Sequence, residues 1–154
     1  MKRQRGFTLI EVVVVIAIVG ILSATAIPFY NTYRMRTYGS EAKIMMKQIL
    51  NAEVAYYLEN DTFYPPNFGD WIVISHNSAI NNPADIALIK QALNITIPEG
   101  HNLDFTFQRL PHPTSGVDAV WVTINSYKNS FPLFGGGATS ITGILDSNGQ
   151  RVVF

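Results

Sequence analysis

Hydrophobic and polar positions change their rhythm three times along the chain. From Phe7 to Leu22 nearly every position is apolar, with one carboxylate, Glu11, inside the run. A helix that is apolar all round must be buried in a membrane or in the core of an assembly. From Tyr38 onward the apolar positions thin to one stripe: Tyr38, Ala42, Met45, Ile49, Ala52 and Tyr56. Steps of four and three mark one face of a helix. Glu41, Lys43, Lys47, Gln48 and Asn51 fall mostly off that stripe. The two patterns join into one predicted helix from Phe7 to about Asn60. At ~1.5 Å per residue it would reach roughly 80 Å. Pro28 lacks an N–H and crowds the preceding turn, so a kink is expected there. Gly20 and Gly39 are further weak points.

Beyond Asn60-Asp61 and Tyr64-Pro65-Pro66-Asn67 the helix gives way to a loop. Trp71–Ile74 reads as a short strand or a buried loop segment. Asn82-Pro83-Ala84-Asp85 is a helix start, with Asn82 as N-cap, and the helix runs to about Leu93. Pro98-Glu99-Gly100 interrupts regular structure after that helix. Leu103, Phe105 and Phe107 then alternate with Asp104, Thr106 and Gln108, and Val120–Ile124 is a second strand. Ile141–Leu145 and Gln150–Phe154 flank the turn Asp146-Ser147-Asn148-Gly149, a hairpin signal. The predicted class is α+β: three to four antiparallel strands packed on the amphipathic half of the long helix, whose apolar half protrudes.

The chain has 154 residues, 11 basic and 11 acidic side chains and no cysteine. An exported domain without disulfides must be held by its own core or by assembly. The basic residues Lys2, Arg3 and Arg5 precede the apolar run, which places the amino end in the cytoplasm by the positive-inside rule. Without residues 1–6 the balance is 8 basic to 11 acidic, or −3. That argues against a large nucleic-acid footprint. A carboxylate at membrane depth costs at least ~2.5 kcal/mol, which makes Glu11 a functional residue by default.

The sequence Gly6-Phe7-Thr8-Leu9-Ile10-Glu11, between a basic leader and an apolar run, resembles the processing signal of type IV prepilins and type II secretion pseudopilins. Ala26-Ile27-Pro28, Ser40-Glu41-Ala42-Lys43 and Thr62-Phe63-Tyr64-Pro65-Pro66 are similar to type IVa-type pilins. The resemblance is close from Gly6 to about Pro66 and architectural beyond. It implies a leader, residues 1–6, removed by prepilin peptidase after Gly6, and methylation of the new amino group of Phe7. Residues 7–29 would be a transmembrane and filament-core helix, and residues 30–154 the rest of that helix with a globular pilin head. Glu11 would pair with a neighbour's amino terminus on assembly, the alternative being a bond within its own helix. The expected partners are further copies of the chain, the peptidase, the inner membrane and its assembly platform. The subunit would sit in the inner membrane with its head exported, then in a surface pilus or periplasmic pseudopilus. The fibre would serve adhesion, motility or DNA uptake.

Other readings stay open. A type II secretion pseudopilin shares every one of these amino-terminal residues. Its typical calcium-binding C-terminal loop is not evident, because Asp146 and Asn148 lack most of a calcium-ligand set. A conventional secretory signal with Ala24-Thr25-Ala26 as its cleavage site would release a binding domain beginning at Ile27, but leaves Glu11 unexplained. A membrane-tethered enzyme would need a catalytic constellation, and none is visible. His76, His101 and His112 lack metal-ligand spacing and read as surface or loop residues. Gly135-Gly136-Gly137 lacks the Lys-Ser/Thr of a phosphate loop. No cofactor, metal or catalytic residue is expected. The aromatics Phe7, Tyr30, Tyr33, Tyr38, Tyr57 and Phe63, and the run Tyr33–Tyr38, resemble the short pilins of metal-reducing bacteria. Packing is the expected role of these rings, ahead of electron transfer.

Overall fold

The structure is a computed structural model and describes residues 6–76, 83–97 and 101–154. The expected N-cap Asn82, the break at 98–100 and the basic residues of the leader lie outside these residues. The chain divides into two compact units, Met1–Arg34 and Met35–Phe154. Helix α1 (Leu9–Asn60) contributes to both and includes Pro28. It begins two residues later than expected. It ends at Asp61, in the left-handed region with φ 54°, whose N–H donates to the carbonyl of Tyr57. An apolar segment of α1 is long enough, and apolar enough, to cross a membrane. Its side chains, from Leu9 to Leu22, are exposed in the isolated chain.

The second unit is an α+β fold. A five-stranded antiparallel sheet runs in the order β1 (Trp71–Ile74), β2 (Leu103–Pro111), β3 (Asp118–Ser126), β4 (Ser140–Asp146), β5 (Arg151–Val153). Trp71–Ile74 thus resolves into an edge strand, paired from Trp71↔Gln108 to Ile74↔Phe105. Five strands exceed the three to four expected. The short helix α2 (Pro83–Leu93) packs against β1. One sheet face, built from Phe105, Phe107, Val122, Ile124, Ile141 and Leu145, is buried in the core. Alternation along β2 and β3 makes this possible, because successive side chains point to opposite faces.

The buried face of α1 is Gly39, Ala42, Met46, Ile49, Leu50 and Glu53. It is rotated from the expected stripe: Ala42 and Ile49 belong to it, while Tyr38, Met45, Ala52 and Tyr56 form its half-buried flank. The reason is close approach. A Cβ built on Gly39 would lie 2.0 Å from the carbonyl oxygen of Leu133, so only glycine lets that backbone touch the helix. Gly143 of β4 does the same opposite Met46, whose sulfur would be 2.5 Å from a Cβ there. Gly39 is therefore a packing site, not the weak point its propensity suggests.

The turn Asp146–Gly149 is held by its own side chain. Asp146 Oδ1 accepts the N–H groups of Asn148 (3.0 Å) and Gln150 (2.8 Å). Gly149 supplies the positive φ, 79°. His101 and His112 lie in loops, one of the two placements expected of them, but they are buried and not at the surface. His101 stacks edge-on to Phe105, with centroids 5.2 Å apart. His112 Nδ1 accepts from the N–H groups of Thr114 and Ser115. Burial of His101 lowers its pKa.

Glu53 is the buried residue that periodicity misses, because a carboxylate is not an expected core side chain. It is 0 % exposed. Its Oε2 accepts the Tyr64 N–H at 3.0 Å, tying the loop after α1 back to the helix. Its Oε1 is buried with no partner among the described residues. From β2, Arg109 holds the same loop by donating to the carbonyl of Pro66, while pairing bidentately with Asp118 at 2.7 and 2.9 Å. Burial pushes the Glu53 carboxyl up to about 8, against the smaller opposing effect of the Tyr64 N–H.

Two outcomes are expected. Gly39→Ala should destabilise the fold by about 1–3 kcal/mol through overpacking against Leu133. Gly20→Ala, with nothing within 4 Å of its Cβ, should leave thermal unfolding unchanged. Circular dichroism of the detergent-solubilised chain reads both, and equal midpoints for the two variants would refute the role of close approach. For Glu53, the folded-state pKa lies above the unfolded value of 4.5, so the folded chain holds the extra proton between about 4.5 and about 8. Stability should fall as pH rises through that window. In Glu53→Gln that loss should disappear, and a slope of melting temperature against pH identical to the parent's would exclude Glu53 as its source.

Candidate functional site

The amino end of α1 is built from a short local code. Gly6, Phe7 and Thr8 precede the first helical turn. Thr8 caps it: its Oγ1 accepts the Glu11 N–H at 3.3 Å, and Glu11 Oε2 accepts the Thr8 N–H at 3.4 Å. This is a capping box, in which a hydroxyl and a carboxylate three residues apart satisfy two backbone donors reciprocally. The spacing Thr8-x-x-Glu11 carries that signal in the sequence, and it makes the bond within its own helix that is the alternative expected for Glu11. A carboxylate in the first turn also complements the positive end of the helix dipole.

The two bonds are long and exposed. Glu11 is thus anchored lightly, with its second oxygen available to another donor. Phe7 is 83 % exposed. A Cβ on Gly6 would meet nothing within 4 Å, so the Gly6–Phe7 bond is open to approach from outside. Between Phe7 and Phe29 no side chain other than Glu11 carries charge. The residues expected to act together, Gly6, Phe7 and Glu11, therefore lie within one helical turn and its lead-in. Pro28 sits about five turns further on. Side-chain hydroxyls on either side of it donate back to helix carbonyls, Thr25 to that of Leu22 at 2.9 Å and Thr32 to that of Pro28 itself at 3.0 Å.

The aromatics separate by location. Tyr57 stacks on Phe63 with centroids 4.6 Å apart, and Tyr38 lies 5.1 Å from Phe131, both within the core of the second unit. Tyr30 and Tyr33, in the first unit, are exposed. Among the described residues no three His, Cys, Asp or Glu side chains come together as a metal site.

Residues 1–27 match the family model of the prokaryotic N-terminal methylation motif. The chain is 44 % identical over 61 residues to the type IV major pilin protein PilA of Myxococcus xanthus, covering 40 % of this chain and 28 % of that protein. It is 40 % identical over 83 residues to a fimbrial protein of Neisseria meningitidis, covering 54 % and 44 %. To the type IV major pilin protein PilE1 of Neisseria gonorrhoeae it is 37 % identical over 97 residues, covering 63 % and 41 %. The chain thus spans less than half the length of each of these three relatives. No solved structure matches it significantly. By its methylation motif and these relatives, the amino-terminal portion of this chain is similar to type IV pilins.

Proposed function

We propose that the chain is a structural subunit of a type IV pilus. In this reading prepilin peptidase cuts after Gly6 and methylates Phe7. Residues 7–29 hold the subunit in the inner membrane, and residues 30–154 carry the exported head. At ~1.5 Å per residue, residues 7–29 reach about 34 Å, enough for a hydrocarbon core of ~30 Å. On assembly the same surface passes from lipid into a filament core. Each Val, Ile or Leu there keeps the ~1.5–3 kcal/mol that separates burial from exposure to water. A bend at Pro28 lets the apolar segment take the angle that this packing requires.

The observation that carries the proposal is the lone, lightly held Glu11 in the first turn of an exposed apolar helix, in register with the methylation motif. After cleavage the neighbour's Phe7 brings an ammonium group. At ~4 Å the pair is worth ~4 kcal/mol at an effective dielectric of 20. Pairing also removes an unpaired charge from apolar surroundings, so docking favours the register in which the two meet. The role is structural, with the peptidase, the assembly platform and other copies as partners. Of the shared-signal alternatives, the pilus is preferred to the pseudopilus because the three relatives are a major pilin, a fimbrial protein and a second major pilin.

The direct test is the mass and amino-terminal peptide of the chain from sheared surface filaments. A start at N-methylated Phe7, with this chain abundant, is the expected result. A start at Ile27 would overturn the proposal. Glu11→Val should be cleaved and inserted normally, yet give at least about tenfold fewer filaments, the effect of losing roughly 1.4 kcal/mol or more at the docking step. Normal filament yield from that variant would refute the pairing.

A further inference from the structure

Helix α1 divides the charge of the second unit between its two flanks. Arg36, Lys43 and Lys47 are seven and four residues apart, on one side of the helix, and all three are exposed. Glu41 and Glu59 are 18 residues apart, five turns, and share a line about 120° from Lys47 across the exposed side. The buried face of α1 fills the rest of the circumference between these two lines. It faces the sheet, so each flank looks toward a different edge.

The basic flank borders β4 and β5. Lys43, Lys47 and Arg151 rim a groove of about 240 Å³ floored by Met46, Leu50 and Val153. Arg151 is held there by Asn51, to whose Oδ1 it donates at 2.9 Å, and Lys43 lies over the Phe134 ring at 5.1 Å. Two carboxylates close to these cations in sequence, Glu53 and Asp146, are buried and bonded inward. The acidic flank borders α2, which packs on β1 at the opposite sheet edge. Glu59 lines a shallow groove of about 420 Å³ between α1 and α2, with Leu88 on its far wall. Asp61 is exposed beside it, and Asp85 is half-buried in the first turn of α2. Residues 59–92 carry four carboxylates and one lysine, Lys90.

Two edges of one domain with opposite charge, the basic one beside an apolar groove and the acidic one beside a mixed groove walled by the exposed Leu88, fit each other and not themselves. Such a contact is heterologous, and a heterologous contact that does not close on itself generates an open helical polymer. We propose that the basic flank of one copy, Arg36, Lys43, Lys47 and Arg151, seats against the acidic flank of the next, Glu41, Glu59, Asp61 and Asp85. The exposed Leu88 enters the groove over Met46 and Leu50. This rests on the pilus reading and adds to it the surface by which heads recognise one another. Charged rims of this kind set partner and register, and they weaken as salt screens them.

The test uses filaments of the full chain. Carbodiimide treatment joins a lysine amine to a carboxylate in contact with it. Mixed filaments from isotope-labelled and unlabelled cells should give crosslinked peptides between copies, joining Lys43 or Lys47 to Glu41, Glu59, Asp61 or Asp85. Lys43→Glu with Lys47→Glu should lower filament yield roughly tenfold. Adding Glu41→Lys and Glu59→Lys to the same chain should restore it. Heads that still resist protease in the reversed variant would show that folding is intact. Normal yield from the Lys43→Glu, Lys47→Glu chain, or no crosslink across these flanks in filaments of the parent chain, would overturn the proposal and leave the pilus reading standing. So would a reversed filament of normal yield that has lost binding to duplex DNA, which would assign the basic groove to a polyanion. Failure of the parent chain to appear in filaments at all would instead count against the pilus reading itself.

Discussion

The contact on which the head depends is the close seating of α1 on the buried face of its sheet. Large side chains fill it, and small residues set how close it is. Gly39 lets the helix meet the Leu133 backbone, and Gly143 leaves room for Met46 and Leu50 to lie across β4. A methyl group at Gly39 would push the helix off the Leu133 backbone, whereas one at Gly143 would force the Met46 and Leu50 side chains to shift. Interiors are packed as densely as organic crystals, so neither change is free of cost. With no cysteine to staple the domain, this contact has to hold it.

That seating has consequences at both ends of the same helix face. At its C-terminal end Glu53 takes a core position and fixes the loop at Tyr64, while Arg109 fixes the same loop at Pro66. The chain is thereby turned back toward β1 within one short loop. Around the helix, the orientation of the buried face decides which side chains lie on which flank. The separation of Lys43 and Lys47 from Glu41 and Glu59 follows from that rotation. One packing decision therefore sets the core, the exit from α1 and the distribution of charge along two sheet edges.

Much of this is legible in the residues, and the parts that are not share a cause. The amino-terminal signal, α2 and the alternation in β2 and β3 are local patterns, and local patterns survive without knowledge of the fold. The stripe on α1 reads a fraction of a turn off because Gly39 and Glu53 belong to the buried face, and neither counts as apolar. Trp71–Ile74 has apolar residues on both faces, since Trp71 and Val73 are exposed while Ile74 is buried, so no alternation marks it. Its pairing to β2 comes from a partner more than thirty residues away. His101 and His112 look like any loop histidine until their neighbours are known. The capping box at Thr8 and Glu11 is visible as spacing, and is easily overlooked because the carboxylate has a more conspicuous explanation.

Those two explanations of Glu11 act at different moments. Among the described residues the carboxylate has only its own helix to answer to, and it takes the Thr8 N–H and the positive end of the dipole. Both interactions are weak at an exposed site, where water competes for each partner. On the proposed assembly path the same group enters an apolar surround, and its second oxygen would be left unsatisfied. A neighbour's ammonium group gains strength in that setting as the local dielectric falls, while the backbone bond to Thr8 can persist on the other oxygen. On that path the capping box, tightened as water is excluded, would bias the carboxylate toward one orientation at the helix start, so that the incoming charge loses less to ordering it. A Thr8 side chain that caps the helix and a Glu11 side chain that, on the proposed path, selects the register are in this sense one site, and the apolar run after them makes its electrostatics matter.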